Sequence, residues 1–163
     1  MDKTIIRDTD MVSAFAKIER LELLNSLLSK HRVVITPEIY EELISALDCG
    51  YTFPLDIFRY FEVLYPSEEE RKEYQKLLIE NRTLRRGELE AMRICRRRGC
   101  IVSSMANAAL RFAEETRVET LKLHSMRSLW ESGMRSKDDV RGLMTEIEKE
   151  DNTTINDIGR IFQ

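Results

Sequence analysis

Short apolar runs along the chain alternate with segments in which apolar residues recur at helical spacing. Runs of this length, bounded by polar or turn-forming residues, predict strands. One of them, residues 33–35, is continuously apolar, which is typical of a strand covered on both faces. The predicted strands centre on residues 5–6, 33–35, 61–66, 100–104 and 118–123.

Between these runs, apolar spacing and capping residues predict helices. Thr36 is a fair N-cap with Pro37 at the first helical position, and Ser67 with Glu70 matches a capping box. Residues 48–54 are predicted as a loop. The predicted helices are residues 11–18, 21–30, 37–47, 67–79, 87–98, 105–115, 125–131 and 136–148, with a short last segment at 158–162.

This alternation of strands and helices predicts the fold class. Repeated strand–helix units imply a parallel sheet with helices on both faces. We therefore expect an α/β fold, a three-layer α/β/α sandwich around a mostly parallel sheet of about five strands. A length of 163 residues suits one domain, residues 1–163, in which the C-terminal helices of about 125–163 are included.

Composition and charge narrow the class of protein. The chain is 42% hydrophobic and 34% charged, which indicates a globular protein. A net charge of −3 excludes a protein coated in basic residues for non-specific nucleic-acid binding. The charge is nevertheless segregated, because residues 82–98 carry seven arginines. We interpret Arg96, Arg97 and Arg98 as a solvated helix face.

The cysteines and the hydropathy point to a reducing compartment. The chain has three cysteines without CxxC spacing and two histidines. This number and spacing argue against a disulfide framework and against a zinc site. No signal-peptide pattern is present, and no apolar run approaches the roughly 20 residues of a spanning helix. We expect a cytoplasmic protein with no membrane partner.

Acidic residues recur beside strand ends and helix starts. They are Asp8 and Asp10 after the first strand, Glu41 and Glu42 in the helix after the second, and Glu88 and Glu90 in the helix before the fourth. In a parallel sheet these positions lie at one edge, where ligands bind. Carboxylates brought close together repel one another unless a cation neutralises them. Their oxygens suit Mg²⁺ or Mn²⁺, so a divalent metal is predicted here.

Each of these acids also has a purely structural explanation. Asp8 or Asp10 could cap the helix that follows, and Glu90 could interact with the positive end of its helix dipole. Glu41 and Glu42 both lie near the edge of an apolar arc, so periodicity does not choose between them. Taken alone, either one could be an ordinary surface glutamate.

Several segments together resemble the PIN domain, a metal-dependent ribonuclease fold found in toxin–antitoxin toxins. IIRDTDMVSAFAKIERLELL is similar to the family's opening strand and helix, and VVITPEIYEEL to its second strand and acid-bearing helix. RRGELEAM resembles the GE-x-EA motif, and IVSSMANAALRFAEE occupies the place of the strand that normally ends in an aspartate. KDDVRGLMTEIEKEDNTTINDIGRIF is similar to the C-terminal helices of one PIN subgroup.

The resemblance implies roles for particular residues. It makes Asp8, Glu42 and Glu90 the catalytic metal ligands. Glu88 shares the third role, and Asp10, where the family often has Asn or Ser, joins the metal-binding set. The chain departs from the family at the fourth acid, where it has Ser103 and Ser104. Nearby candidates to compensate are Asn107 and Asp10. Arg85 and Arg86, beside the acidic helix start, are candidates for RNA contacts.

The resemblance implies a Mg²⁺- or Mn²⁺-dependent endoribonuclease, toxin-like, with RNA as substrate, an antitoxin-like protein partner and a homodimeric state. The alternative is a PIN-like protein with an impaired site that binds RNA or a partner without cutting. A more distant alternative is a haloacid-dehalogenase-type phosphatase, because DTDMV fits its opening motif and Asp138 and Asp139 are adjacent. No apolar strand precedes that pair, as the phosphatase would require.

Overall fold

A computed structural model describes residues 3–27, 29–104, 106–121, 127, 130–131, 133 and 135–151. Its sheet has five strands in the order β3-β2-β1-β4-β5, and every neighbouring pair is parallel. The strands are β1 (Thr4–Arg7), β2 (Arg32–Ile35), β3 (Glu62–Val63), β4 (Ile101–Ser103) and β5 (Glu119–Thr120). The predicted α/β fold with a five-stranded parallel sheet is confirmed.

The helices follow the strands in the predicted alternation. They are α1 (Thr9–Lys17), α2 (Leu21–Leu27), α3 (Pro37–Asp48), α4 (Phe53–Tyr60), α5 (Glu68–Glu80), α6 (Arg86–Arg98), α7 (Asn107–Glu115) and α8 (Lys137–Asp151). The predicted helix over 125–131 falls mostly outside the described residues, as does the whole segment 158–162. His124, at the end of the predicted fifth strand, lies outside them too.

Two predicted elements differ from the structure. Residues 48–54 are not all loop, because α3 extends to Asp48 and α4 begins at Phe53. Helix α4 buries Ile57 completely, and its proline lies in the first turn, where a proline costs little. The strand expected over 61–66 has only two residues in the structure. It lies at the sheet edge, where β3 pairs with β2 alone among the described strands. Its flanking Phe61 and Leu64 still contribute to the core.

The core lies between the central strands and the helices packed on them. Ile6 of β1 and Val34 of β2 are fully buried together with Phe15 of α1 and Leu89 of α6. The C-terminal helix α8 packs on α1, and its apolar positions belong to the same core; these are Val140, Leu143, Met144 and Ile147. Helix α1, which begins directly after the central strand, therefore packs against α2 and α4 from the first half of the chain and against α8 from the second half.

Arg96, Arg97 and Arg98 at the end of α6 are exposed, as predicted, but two of them also pair with carboxylates of α5. Arg97 donates to Glu73 of α5 over 2.6 Å and to Glu69 over 2.8 Å, and Arg98 donates to Glu70 over 2.7 Å. Arg96 is exposed, as expected. Because α5 supplies these carboxylates, the charges hold the two helices side by side, and they are not available to a ligand as free cations.

Glu70 is the buried member of this ionic layer. Its side chain is 3% exposed, accepts from Arg98 and completes a capping box with Ser67 at the start of α5. Burial acts to raise the pKa of Glu70, but the Arg98 and Ser67 hydrogen bonds outweigh it, so the pKa is lowered from its ordinary value. The ionised carboxylate is thus the form that stabilises the folded chain.

Glu70→Gln keeps the side-chain shape and removes its charge. We expect the free energy of unfolding at neutral pH to fall by about 1–3 kcal/mol, because charged hydrogen bonds to Arg98 are weakened. A lowered folded pKa stabilises the protein above the ordinary glutamate pKa, and this stabilisation is lost as the pH falls through the folded pKa. The difference between the two proteins should therefore shrink in acid, as measured by urea denaturation.

Glu68→Gln is the matched control on the same helix. The Glu68 side chain is 82% exposed and pairs with Lys72 at 3.2 Å. Exposed pairs contribute little, so its stability should stay within about 0.5 kcal/mol of the wild type. Equal losses in the two variants would contradict a special role for Glu70.

Candidate active site

The site begins at the carboxyl end of the central strand. Asp8 follows β1 directly, and its N–H donates to the carbonyl of Ser103 on β4 over 3.0 Å. Its carboxylate accepts from the N–H of Thr9 over 2.7 Å, so Asp8 is the N-cap of α1. The structural explanation considered for Asp8 is therefore correct, and it is compatible with a role in a site. The side chain is only 5% exposed.

Three carboxylates from two distant segments of the chain meet around Arg85, which lies just before α6. The Arg85 Nη2 atom is 3.3 Å from Asp8 Oδ2 and 3.4 Å from Glu88 Oε1. Asp10 accepts from both terminal nitrogens of Arg85, over 2.9 and 2.8 Å. The predicted meeting of distant acids at this edge of the sheet is thus observed for Asp8, Asp10 and Glu88, with a guanidinium among them.

The electrostatics of Asp8 follow from its burial in this cluster. The pKa of Asp8 is raised to about 7, chiefly by burial; the nearby Asp10 and Glu88 also act to raise it, while Arg85 and the Ser104 hydroxyl act to lower it. The pKa of Arg85 is raised from its ordinary value, chiefly by its hydrogen bonds to Asp10. The cluster therefore favours a positive charge at its centre.

Glu42 lies beside the cluster on α3. Its Oε2 accepts from the Thr9 hydroxyl, and its Oε1 accepts from the N–H of Gly87 over 3.4 Å. Thr9 follows Asp8 in the chain, so Glu42 contacts the residue next to Asp8 and not Asp8 itself. Glu41 is more exposed than Glu42, although both line the same cleft.

Glu90 is buried in a different environment. It is 4% exposed, and its Oε1 accepts from the N–H of Glu38 over 3.0 Å, at the first turn of α3. Burial raises the pKa of Glu90, although the Glu38 N–H and the Thr36 hydroxyl act to lower it. Residues 88 and 90 lie on different faces of a helix, so only one of them can face Asp8 directly. Glu88 is the one that shares Arg85 with Asp8.

The position of the missing fourth acid holds a hydroxyl. Ser104 is buried, and its Oγ donates to Asp8 Oδ2 over 3.2 Å and accepts from the N–H of Ala106 over 3.2 Å. Asn107, the other candidate at this position, is exposed at the start of α7. A hydroxyl can orient Asp8, but it adds no negative charge to the cluster.

A cleft of about 640 Å³ opens next to the cluster. Glutamates of α3 line one side and two arginines before and at the start of α6 line the other; the lining residues are Thr9, Glu38, Glu41, Glu42, Ser45, Leu84, Arg85 and Arg86. Arg86, a predicted RNA contact, is 68% exposed and lies 3.6 Å from Glu38. The cleft therefore presents cationic nitrogens beside the acidic cluster.

Comparison with known proteins agrees with this geometry. A family model described as DUF3368: PIN domain matches residues 4–121 of the chain. The chain belongs to the PIN domain family. The match covers all five strands, whereas α8 lies beyond it. The aspartates of the phosphatase alternative, Asp138 and Asp139, are exposed in the first turn of α8 and follow no strand among the described residues.

A solved structure has a similar fold to this PIN domain. It is the structure of VapBC-1 from nontypeable Haemophilus influenzae, with a TM-score of 0.55, 18% identity, and coverage of 72% of this chain and 96% of that chain. None of the curated proteins matches the sequence. Among the described residues, no helix has the length and apolar character needed to span a membrane.

The donor atoms of this PIN domain suit a divalent metal by their chemistry. Asp8, Asp10 and Glu88 offer carboxylate oxygens, the ligands that Mg²⁺ and Mn²⁺ prefer, and these oxygens already converge on one cationic group. As the described side chains stand, no three acidic, histidine or cysteine residues are set around a single metal-sized position. The Arg85 guanidinium lies among the candidate ligands.

Gly87→Ala tests the close contact that positions Glu42. An added Cβ would lie 2.8 Å from Ile39 Cγ1 and 3.0 Å from Glu42 Oε1. Ile39 is buried in the core and cannot easily move, so we expect a loss of about 1–3 kcal/mol in the free energy of unfolding. Thermal or urea denaturation measures this loss.

Gly142→Ala provides the control, because it makes the same change inside helix α8. A Cβ at Gly142 meets nothing within 4 Å. Alanine has the higher helix propensity, so this variant should gain up to about 1 kcal/mol. Similar effects of the two substitutions would show that the contact between α6 and α3 is loose.

Proposed function

We propose that this PIN domain is a divalent-metal-dependent endoribonuclease whose ion binds at Asp8, Asp10 and Glu88, with Glu42 beside it. One observation carries the proposal: three carboxylates converge on a single cationic group at the carboxyl edge of the central strands. Such an edge is where open α/β sheets bind ligands. Membership of the PIN family supports RNA as the substrate.

The chemistry proposed is hydrolysis of an RNA phosphodiester. A bound Mg²⁺ or Mn²⁺ would supply an activated water and charge stabilisation at the phosphate. Asp8, Asp10 and Glu88 hold the ion, and Ser104 keeps the Asp8 carboxylate oriented through its 3.2 Å hydrogen bond. Arg86, largely exposed at the cleft, contacts a phosphate of the bound strand.

In this proposal Glu90 is a positioning residue. Its carboxylate satisfies an N–H in the first turn of α3, the helix that carries Glu42. We therefore give the third ligand position to Glu88. The resemblance gives that position to Glu90, with Glu88 sharing the role, and substitution of each residue separates the two assignments.

Asp8→Asn and Glu88→Gln should each lower Mn²⁺-dependent cleavage by about 100-fold or more, because each removes a ligand charge. Single-stranded and structured RNA are incubated with the purified protein and Mn²⁺, and products are resolved on gels. Asp138→Asn makes the same change at an exposed position of α8 and should cleave like the wild type. Glu90→Gln should retain measurable cleavage.

A second function has its own support in the site. Ser104 stands where the family has an acid, and Arg85 lies among the carboxylates, both of which suit a PIN protein that binds RNA or a partner without cutting. Absence of cleavage by the wild type, with RNA retained in a filter-binding assay, would favour this function over the nuclease.

We also propose an antitoxin-like protein partner and a homodimer for this chain. The fold similarity to the VapBC-1 structure supports the protein partner, and the resemblance of the sequence to PIN domains supports the homodimer. Light scattering of the purified chain measures the oligomeric state directly, and a monomer at micromolar concentration would contradict the dimer.

A further inference from the structure

Arg85 occupies the centre of the acidic cluster. Its guanidinium donates to Asp10 through both terminal nitrogens and to Asp8 and Glu88 through Nη2. These are the oxygens that the proposed function gives to the metal ion. One cationic side chain of the same chain therefore holds all three carboxylates together.

The guanidinium and a divalent ion cannot use these oxygens at the same time. Mg²⁺ binds carboxylate oxygens at about 2.0–2.1 Å, so it would lie between the three side chains, within a few ångströms of Arg85 Nη2. Two cations at that separation repel strongly in a partly buried site. The ion can enter only if the guanidinium leaves.

Arg85 is built so that its guanidinium can leave without unfolding α6. Its backbone N–H donates to Glu88 Oε2 over 3.1 Å, which fixes the start of the helix independently of the guanidinium. The side chain is 44% exposed and lines the open cleft. The Arg85 side chain has several rotatable bonds and borders the open cleft, so its guanidinium can turn into solvent while its Cα stays in place.

We propose that Arg85 is an internal counter-cation that competes with the divalent ion for Asp8, Asp10 and Glu88. The inference rests on the metal site of the proposed function. In the metal-free protein, Arg85 holds the carboxylates together and offsets their repulsion. It thereby lowers the affinity of the site for the ion and sets the metal concentration at which the site fills.

Arg85→Gln removes the competing charge and leaves a shorter, neutral polar side chain. We expect titration calorimetry on the full chain without RNA to show at least about a tenfold rise in its affinity for Mn²⁺. A tenfold change corresponds to about 1.4 kcal/mol of binding free energy. Arg96→Gln makes the same change at an exposed arginine near the opposite end of α6 and should bind Mn²⁺ like the wild type. Unchanged or weaker Mn²⁺ binding by Arg85→Gln would overturn the proposal.

Thermal stability gives a second readout. Without metal, Arg85→Gln leaves buried carboxylates uncompensated, so its Tm should fall by several degrees, and Mn²⁺ should raise its Tm more than that of the wild type. If Arg85→Gln does not fold, Arg85→Lys keeps the charge but loses the paired hydrogen bonds to Asp10, and it should bind Mn²⁺ more tightly than the wild type. Equal binding by Arg85→Lys and the wild type would then overturn the proposal.

These measurements separate this inference from the proposed function. Tighter Mn²⁺ binding by Arg85→Gln supports the competition even if no variant cleaves RNA, in which case only the nuclease proposal fails. A wild type that cleaves RNA, with Arg85→Gln binding Mn²⁺ no better, sustains the nuclease and overturns the competition. If neither protein binds Mn²⁺, both proposals fail.

Discussion

A buried carboxylate at the end of the central strand is the constraint on which the site depends. Asp8 is buried because it follows β1, which lies between β2 and β4, and because α1 begins on it. A charge in such a position is costly unless donors and a cation surround it. The Thr9 N–H, the Ser104 hydroxyl and the Arg85 guanidinium meet this requirement. The roles of the other acids in the site follow from their positions relative to Asp8.

Helix α6 links that carboxylate to the rest of the molecule through two different faces. Glu88 points to Arg85 and Asp8, while Glu90 reaches the first turn of α3. Gly87 allows α3 to approach closely enough for Glu42 to accept its N–H. At the far end of the helix, Arg97 and Arg98 form ion pairs with α5. Arg85, just before the helix, instead contacts the acids of the site.

The sequence predicts the parts of the fold in which local and long-range preferences agree. Continuous apolar runs give β1 and β2, and the capping box at Ser67 gives the start of α5. Helix α4 escapes prediction because it has only eight residues, three of them aromatic, and follows turn-forming residues closely. Strand β3 is overestimated because an apolar run shows burial, while its length in the sheet depends on how far it pairs with β2.

For the site, the sequence predicts which acids can meet but not what neutralises them. Strand order places Asp8, Asp10 and the start of α6 at one edge, and this follows from the alternation alone. Helical spacing separates Glu88 from Glu90 but does not say which of them faces Asp8. Arg85 lies 75 residues from Asp10 in the chain, so no local pattern joins the two. Clustered carboxylates require a positive charge, and either a guanidinium or a metal ion can supply one. Only the three-dimensional arrangement reveals that this chain carries such a group among its own acids.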